Sequence, residues 1–551
     1  MKKTVISLVL AALLLAGCTP SNIDTTNAPD PSGATVAIGE KTEAALAQIA
    51  QLGESPDDNY RVWYEIFVYS YCDSDGDGIG DLNGVRSKLP ELEKLGVTGI
   101  WLMPIHPSTT YHKYNVSDYY AIDPDYGTME DFDALMAACG ERGIKVILDL
   151  VVNHTGSEHP WFQEAVDYLQ RLSSGETPNA QDCKYLDYYT FVPADASKGG
   201  YSEVTGTAYS YESMFSYDMP DLNLDNAQVR REIEAIMQFW MDKGVSGFRL
   251  DAAKEFFSGN TTKNVEVLSW LQQTATAIDP NAYLVAEVWD TFATVTDYYE
   301  SGITSIFNYP FGDSSGKISK VLQGIGQSSV VSTYATALEK ADKAYAGSNA
   351  SYIDAPFLSN HDVGRVAGFV GRDEMKIKLA GTMNLFMSGS AFLYYGEEIG
   401  MIGSGNDPSK RAPMYWNAER NNGTTAPPPD CTLPESYPLG SLEEQRGDDA
   451  SVYNYYRQAI AIRNALPVIS HGSTIAETAL NTGCVSAQRK TWGEKSCIIL
   501  MNIDTQSAQV DLSAYADWKL AASLSADGNA ITMDGTNLAL PACGVAVLIP
   551  D

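Results

Sequence analysis

The chain of 551 residues predicts an α/β protein: a (β/α)8 barrel (TIM barrel) with a small domain inserted after strand 3 and a C-terminal all-β sandwich domain. Three observations lead there. Apolar, β-branched runs alternate with segments of helical period about eight times over some 400 residues. Three helix-to-strand joints repeat one pattern, Lys94-Leu-Gly-Val, Glu141-Arg-Gly-Ile and Asp242-Lys-Gly-Val, each placing Gly where a left-handed cap ends a helix. After about residue 467 the pattern changes to short alternating runs, such as 496–502 and 543–549, separated by Gly, Asn and Asp. A doubly wound open sheet is the runner-up, but no Gly-rich phosphate loop follows the first strand.

The elements follow in order. Residues 1–17 open with two lysines and 13 apolar-rich positions, Thr4 to Ala16, and end Leu15-Ala16-Gly17-Cys18. Thirteen is short of the roughly 20 that span a bilayer and suits a secretory signal peptide. The ending resembles a bacterial lipoprotein signal, in which Cys18 becomes the lipidated first residue. The expectation is a membrane-anchored lipoprotein on the extracellular face of a bacterial cell. Residues 18–58, rich in Thr, Pro, Asp, Ser and Ala, read as a tether with a short helix at 40–52. Strand runs are expected at 61–69, 97–105, 145–152, 245–251, 283–289, 304–309, 355–359 and 391–396. Helices are clearest at 84–95, 129–142, 226–243, 263–278, 371–387 and 450–465. The barrel then covers 59–154 and 219–466, the inserted domain 155–218, and the sandwich 467–551. The insertion is rich in Tyr, Ser, Asp and Gly, and connections of such length are usually functional or small domains. Ordinary packing is the expected use of its many tyrosines.

Net charge is −33 with no basic stretch, which excludes nucleic acid as an expected partner. Cysteines 72, 139, 183, 431, 484, 497 and 543 form no CxxC pair, so a zinc ribbon is disfavoured. Seven is odd, which leaves at least one thiol unpaired within the set.

Barrel active sites lie at the C-terminal strand ends. There the third run ends Asp149-Leu-Val-Val-Asn153-His154, the fourth Arg249-Leu-Asp251, the fifth at Glu287 and the seventh Asn360-His361-Asp362. Strand alternation puts Arg249 and Asp251 on one face. Asp251, Glu287 and Asp362 can converge on one pocket, with no Cys–His pair or serine elbow beside them. Paired carboxylates with an arginine suit glycosidic bond cleavage, one attacking the sugar carbon and the other protonating the leaving oxygen. Arg249 is expected to keep Asp251 ionised. Val285, Val288 and Trp289 are expected to wall Glu287 and raise its pKa. Behind the first strand, Asp73-Ser-Asp75-Gly-Asp77-Gly-Ile79-Gly-Asp81 copies the start of an EF-hand calcium loop. Gly84 stands where the closing glutamate would be, so the loop is not an EF-hand, and Asp81 is its candidate closing ligand.

DLVVNH (149–154), GFRLD (247–251), the Glu of AEVWD (287) and SNHD (359–362) resemble, in order and spacing, four conserved regions of the α-amylase family, glycoside hydrolase family 13. MPDLN (219–223) resembles a fifth. The resemblance covers residues 59 to 551. It implies a retaining mechanism with Asp251 as nucleophile, Glu287 as general acid/base and Asp362 as the carboxylate that binds sugar hydroxyls. It also implies that His154, Arg249 and His361 complete the sugar pocket and that Tyr114 stacks on the sugar. Asp118, Arg365 and Lys254 are further substrate-binding candidates. The same resemblance implies a structural Ca2+ held by Asp73, Asp75, Asp77, the Ile79 carbonyl and Asp81. Whether a second calcium sits near Asn153 stays open, because Glu255 stands where related enzymes often carry His. Small Ala252 after the nucleophile, together with MPDLN, leans toward endo cleavage of α-1,4 bonds in starch, glycogen or maltooligosaccharides. An α-glucosidase, a cyclomaltodextrinase or neopullulanase, or a 4-α-glucanotransferase is the alternative. A purely glycan-binding lipoprotein has no need of all three carboxylates.

Overall fold

A computed structural model of the chain describes residues 39–173, 175–196 and 199–551. The signal peptide, Cys18 and the first part of the tether lie outside these residues. Among the described residues no helix is long and apolar enough to cross a membrane.

Seven strands form one parallel sheet: Val62–Ile66, Gly99–Leu102, Lys145–Leu150, Gly247–Leu250, Tyr283–Ala286, Ser305–Ile306 and Ala391–Tyr394. They run in that order, and the last returns to pair with the first. The seventh run, expected as a strand at 355–359, makes only a single bridge, from Ala355 to Phe307. Pro356 has no N–H to offer a ladder. Its carbonyl still accepts the Phe392 N–H at 2.8 Å, and the Ala355 carbonyl accepts the Asn308 N–H at 3.0 Å, so the barrel closes.

Period-two alternation sorts the strand side chains. Trp63, Trp101, Ile147, Tyr283, Val285, Phe307 and Phe392 fill the barrel interior as one buried cluster, while Tyr64, Ile100, Leu102, Val146 and Leu148 join the large core cluster outside it. Gly99 makes room for this interior: a Cβ there would meet the Trp63 ring at 2.3 Å. The three repeated joints behave as their sequence requires, with Gly96, Gly143 and Gly244 at φ +92°, +67° and +94°. Among the described helices of ten or more residues, two escaped the reading, Thr333–Ser348 and Pro160–Arg171. The first buries Ala335 and Ala341 beside Tyr334, Leu338 and Tyr345, so its apolar stripe is faint in sequence.

The insertion carries a three-stranded antiparallel sheet with Tyr209–Glu212 between Phe191–Pro193 and Tyr201–Glu203. Tyr188, Tyr189 and Tyr211 are buried within it, Tyr189 and Tyr211 against Phe162. At the C-terminus a five-stranded antiparallel sheet and a three-stranded one enclose a second core of Val485, Ile498, Leu500, Val510, Leu538 and Leu548. Residues 40–52 form the helix Glu40–Ile49 and a short 3-10 turn. That helix packs on Val452–Ala465, with Glu43 paired to Arg457 at 2.7 Å.

Candidate active site

The barrel register builds the centre of the site. Asp149 is the cross-strand partner of Arg249, so both side chains stand on the same inner face. Arg249, 1% exposed, reaches Asp149 Oδ1 at 2.8 Å and Asp251 Oδ1 at 2.6 Å through NH1, and Glu287 Oε2 at 2.9 Å through NH2. One guanidinium thus joins carboxylates from three successive strands. The chain turns sharply after Asp251: Ala252 has φ +48°, and its N–H donates to Glu287 Oε2 at 2.9 Å. Tyr309 donates to Glu287 Oε1 at 3.3 Å, and Trp289 stacks on Tyr309 with centroids 5.1 Å apart.

Asp362 occupies a second cradle. Its Oδ2 lies 3.0 Å from His361 Nε2 and its Oδ1 2.9 Å from Arg411 NH2. His361 Nδ1 contacts Glu65 Oε1 at 2.6 Å, at the end of the first strand. Tyr114 links the two halves, donating to Asp149 Oδ2 at 3.1 Å and bonding His361 Nε2 at 2.7 Å. These groups surround an open cavity of about 900 Å³, whose walls include Tyr114, His154, Asp251, Lys254, Glu287 and Asp362.

The charges follow from burial and partners. Burial pushes Asp251 and Glu287 upward, and Asp149 up to about 7, because three carboxylates share one guanidinium. Arg249 opposes the rise at Asp251 through its charge and its hydrogen bond, and so favours the ionised form there. Burial raises Glu287; of the expected apolar wall, Val285 belongs to the barrel interior, whereas Val288 joins the outer core and Trp289 is half exposed. Burial would raise Asp362 too, but His361 and Arg411 outweigh it and hold this carboxylate well below its ordinary range. Burial would lower His361, yet Asp362 and Glu65 carry it to about 9. Burial takes His154 down to about 4, so its ring is neutral. The His154 Nε2 atom is buried without a hydrogen-bond partner, while the residue forms part of the cavity wall.

Arg249 and His361 sit beside the cavity wall in the charged cluster, and two candidates stand apart from both. Asp118 is exposed and accepts the Tyr120 N–H at 2.8 Å, a surface turn of the kind Asp favours. Arg365 is buried beneath the Tyr394 and Tyr395 rings and donates to the Lys410 carbonyl at 3.0 Å, a structural position. Lys254 lines the rim and pairs with Asp290 at 3.1 Å. The sequence reading passed over Glu65 and Arg411, and over Tyr111 and Phe215, which line the cavity. Glu65 had a legible signal, a lone carboxylate in the apolar strand Val62–Ile66; Arg411 had none, since it arrives on a long loop after the last strand.

In the acidic loop, Asp73, Asp75 and Asp81 bring carboxylate oxygens within 4.8 Å of one another. Asp77 stands outside that trio and accepts the Ile79 N–H at 2.7 Å. Asp81 also caps the helix Leu82–Leu95 by accepting the Gly84 N–H. Three converging carboxylates are a hard oxygen donor set, which fits calcium.

A barrel that gathers carboxylates around one arginine at its strand ends has the groups that glycosidic bond cleavage uses. The family model described as "Alpha amylase, catalytic domain" matches residues 65–472. Alpha-amylase 3 of Dictyoglomus thermophilum is 41% identical over 416 residues, covering 75% of this chain and 78% of the relative. The solved structure of Eubacterium rectale Amy13B superposes with a TM-score of 0.88 at 41% identity, covering 93% of this chain and 99% of that one. An oligo-1,6-glucosidase of Parageobacillus thermoglucosidasius is 28% identical over 83% of this chain and 93% of its own length. The chain belongs to the α-amylase family.

Proposed function

We propose that the protein cleaves α-1,4-glucosidic bonds within starch, glycogen or maltooligosaccharide chains, with retention of configuration. The shared guanidinium carries the reading: Asp251 and Glu287 both touch Arg249, so the two carboxylates that a retaining mechanism needs meet at one point of the cavity wall. Asp251 attacks the anomeric carbon while the Glu287 carboxyl gives its proton to the departing oxygen. Three buried carboxylates on one cation favour retention of one proton, and the 2.6 Å contact to Arg249 favours the ionised form at Asp251. Once the glycosyl ester forms, the charge on Asp251 is gone, which stabilises the carboxylate left on Glu287 by the proton transfer. It then takes a proton from water, which attacks the anomeric carbon and releases Asp251. Asp362, fixed as an anion by His361 and Arg411, holds sugar hydroxyls and stabilises the cationic transition state, while Tyr114 and His154 line the sugar.

Ala252 after the nucleophile, the MPDLN segment and the relatives named as alpha-amylases support endo cleavage of α-1,4 bonds; the relative named oligo-1,6-glucosidase supports the exo-acting alternative. A product profile on soluble starch, maltotriose, cyclodextrin and pullulan separates them. Mixed oligosaccharides from starch are expected, and glucose alone would refute the endo reading. Glu287→Gln is expected to lose most turnover yet bind maltooligosaccharide; turnover like wild type would exclude Glu287 as the acid.

The acidic loop is assigned a structural Ca2+ with Asp73, Asp75 and Asp81 as its core ligands. Cys18 is assigned a lipid anchor that holds the enzyme on the outer face of a bacterial membrane. Lipid labelling that persists in Cys18→Ser would overturn the anchor.

A further inference from the structure

Among the described residues, three exposed large hydrophobic side chains fall within four consecutive positions: Met214, Phe215 and Tyr217, at 42%, 50% and 74% exposure. Single exposed apolar side chains need no explanation, but a contiguous group on a strongly acidic protein does. The segment is pinned rather than loose. Ser213 N–H donates to the Gly200 carbonyl at 2.8 Å, and Met214 N–H to Asp221 Oδ2 at 3.0 Å. On the far side, the Asp218 carbonyl accepts from Ser157 N–H at 2.9 Å and Asn115 Nδ2 at 3.1 Å. Backbone held at both ends leaves the rings outward at little further entropic cost.

The ridge is continuous with the catalytic cavity. Phe215, Ser216 and Met219 belong to its wall, and the Phe215 ring lies 5.6 Å from that of His154. Tyr217 lies outside that wall. Pyranose rings present apolar C–H faces edged by hydroxyls. Aromatic side chains with a polar tip match both features.

We propose that the Met214–Tyr217 ridge is a platform for the part of an α-glucan chain that extends beyond the catalytic cavity, with Phe215 and Tyr217 stacking on its sugar rings and giving the enzyme a preference for long chains. The proposal rests on the α-glucan reading above. Its occupant is the substrate itself, because the ridge continues the wall that lines the cavity.

The test compares kcat/KM for maltoheptaose and maltotriose in the full-length protein, in Tyr217→Ala and in Tyr217→Phe. Tyr217→Ala is expected to lower the maltoheptaose-to-maltotriose ratio about three- to tenfold, mainly through KM, as loss of one stacked ring predicts. Tyr217→Phe, which keeps the ring, is expected to retain the ratio. An unchanged ratio in folded Tyr217→Ala overturns the platform while leaving the α-glucan reading intact. A change of oligomeric state in Tyr217→Ala, with the ratio unchanged, also overturns it and assigns the ridge to contact between copies. Absence of wild-type turnover on every α-1,4-glucan sinks the underlying reading and the platform with it.

Discussion

Replacing Arg249 by Met tests whether one buried cation holds the site together. The guanidinium is 1% exposed and contacts Asp149, Asp251 and Glu287 at 2.8, 2.6 and 2.9 Å. Removing one partner of a buried ion pair costs about 3–5 kcal/mol, because the remaining charge is left without compensation. Here three carboxylates lose the same partner, so the upper part of that range is expected at neutral pH. The pH dependence is more diagnostic. In the wild type, folding raises Asp149 from its ordinary 3.8 to about 7 and raises Asp251 and Glu287 as well. The folded state therefore keeps protons that the unfolded chain has released, and this contribution to stability declines as pH climbs from about 4 to about 7. Without Arg249 the folded-state values rise further, so the decline extends to higher pH. Each further pH unit of rise adds roughly 1.4 kcal/mol. Chemical denaturation at pH 5 and pH 8, followed by near-UV circular dichroism, is expected to show a larger loss for Arg249→Met at pH 8. A loss below about 1 kcal/mol, or one equal at both pH values, would refute the reasoning.

Two further outcomes are expected. Removing calcium with a chelator is expected to lower the melting temperature, and Asp75→Asn is expected to blunt that response; an unchanged melt after verified metal removal would count against the loop site. Glu397 and Glu398 are buried side by side and pushed up to about 8 and about 7 by burial, above their ordinary 4.5. Their contribution to stability is present at low pH and falls away as pH rises from about 4.5 through about 8, so Glu397→Gln is expected to gain stability over wild type between pH 6 and pH 9, read from paired melts.

Much of this protein was set by local sequence. Strand and helix order, the glycine caps at 96, 143 and 244, and the carboxylates at strand ends depend on periodicity and on single-residue backbone preference, both carried by neighbouring residues. The pairing of Arg249 with Asp251 was visible because two residues apart on a strand share a face. Tertiary structure decided the rest. Asp149 joined the Arg249 cluster through a cross-strand register between residues 100 positions apart. Arg411 and Glu65 reached Asp362 and His361 from opposite ends of the barrel sequence, and no local pattern encodes such a meeting. The seventh strand shrank to one bridge because its neighbours close the ring without the ladder bond that Pro356 cannot make. Asp118 and Arg365 had residue types suited to a sugar pocket, but the backbone aims one at solvent and buries the other under tyrosines. Local sequence specifies which groups are present and which face they take. Where those faces meet depends on barrel closure, because strand register and loop return are fixed only when the whole core packs.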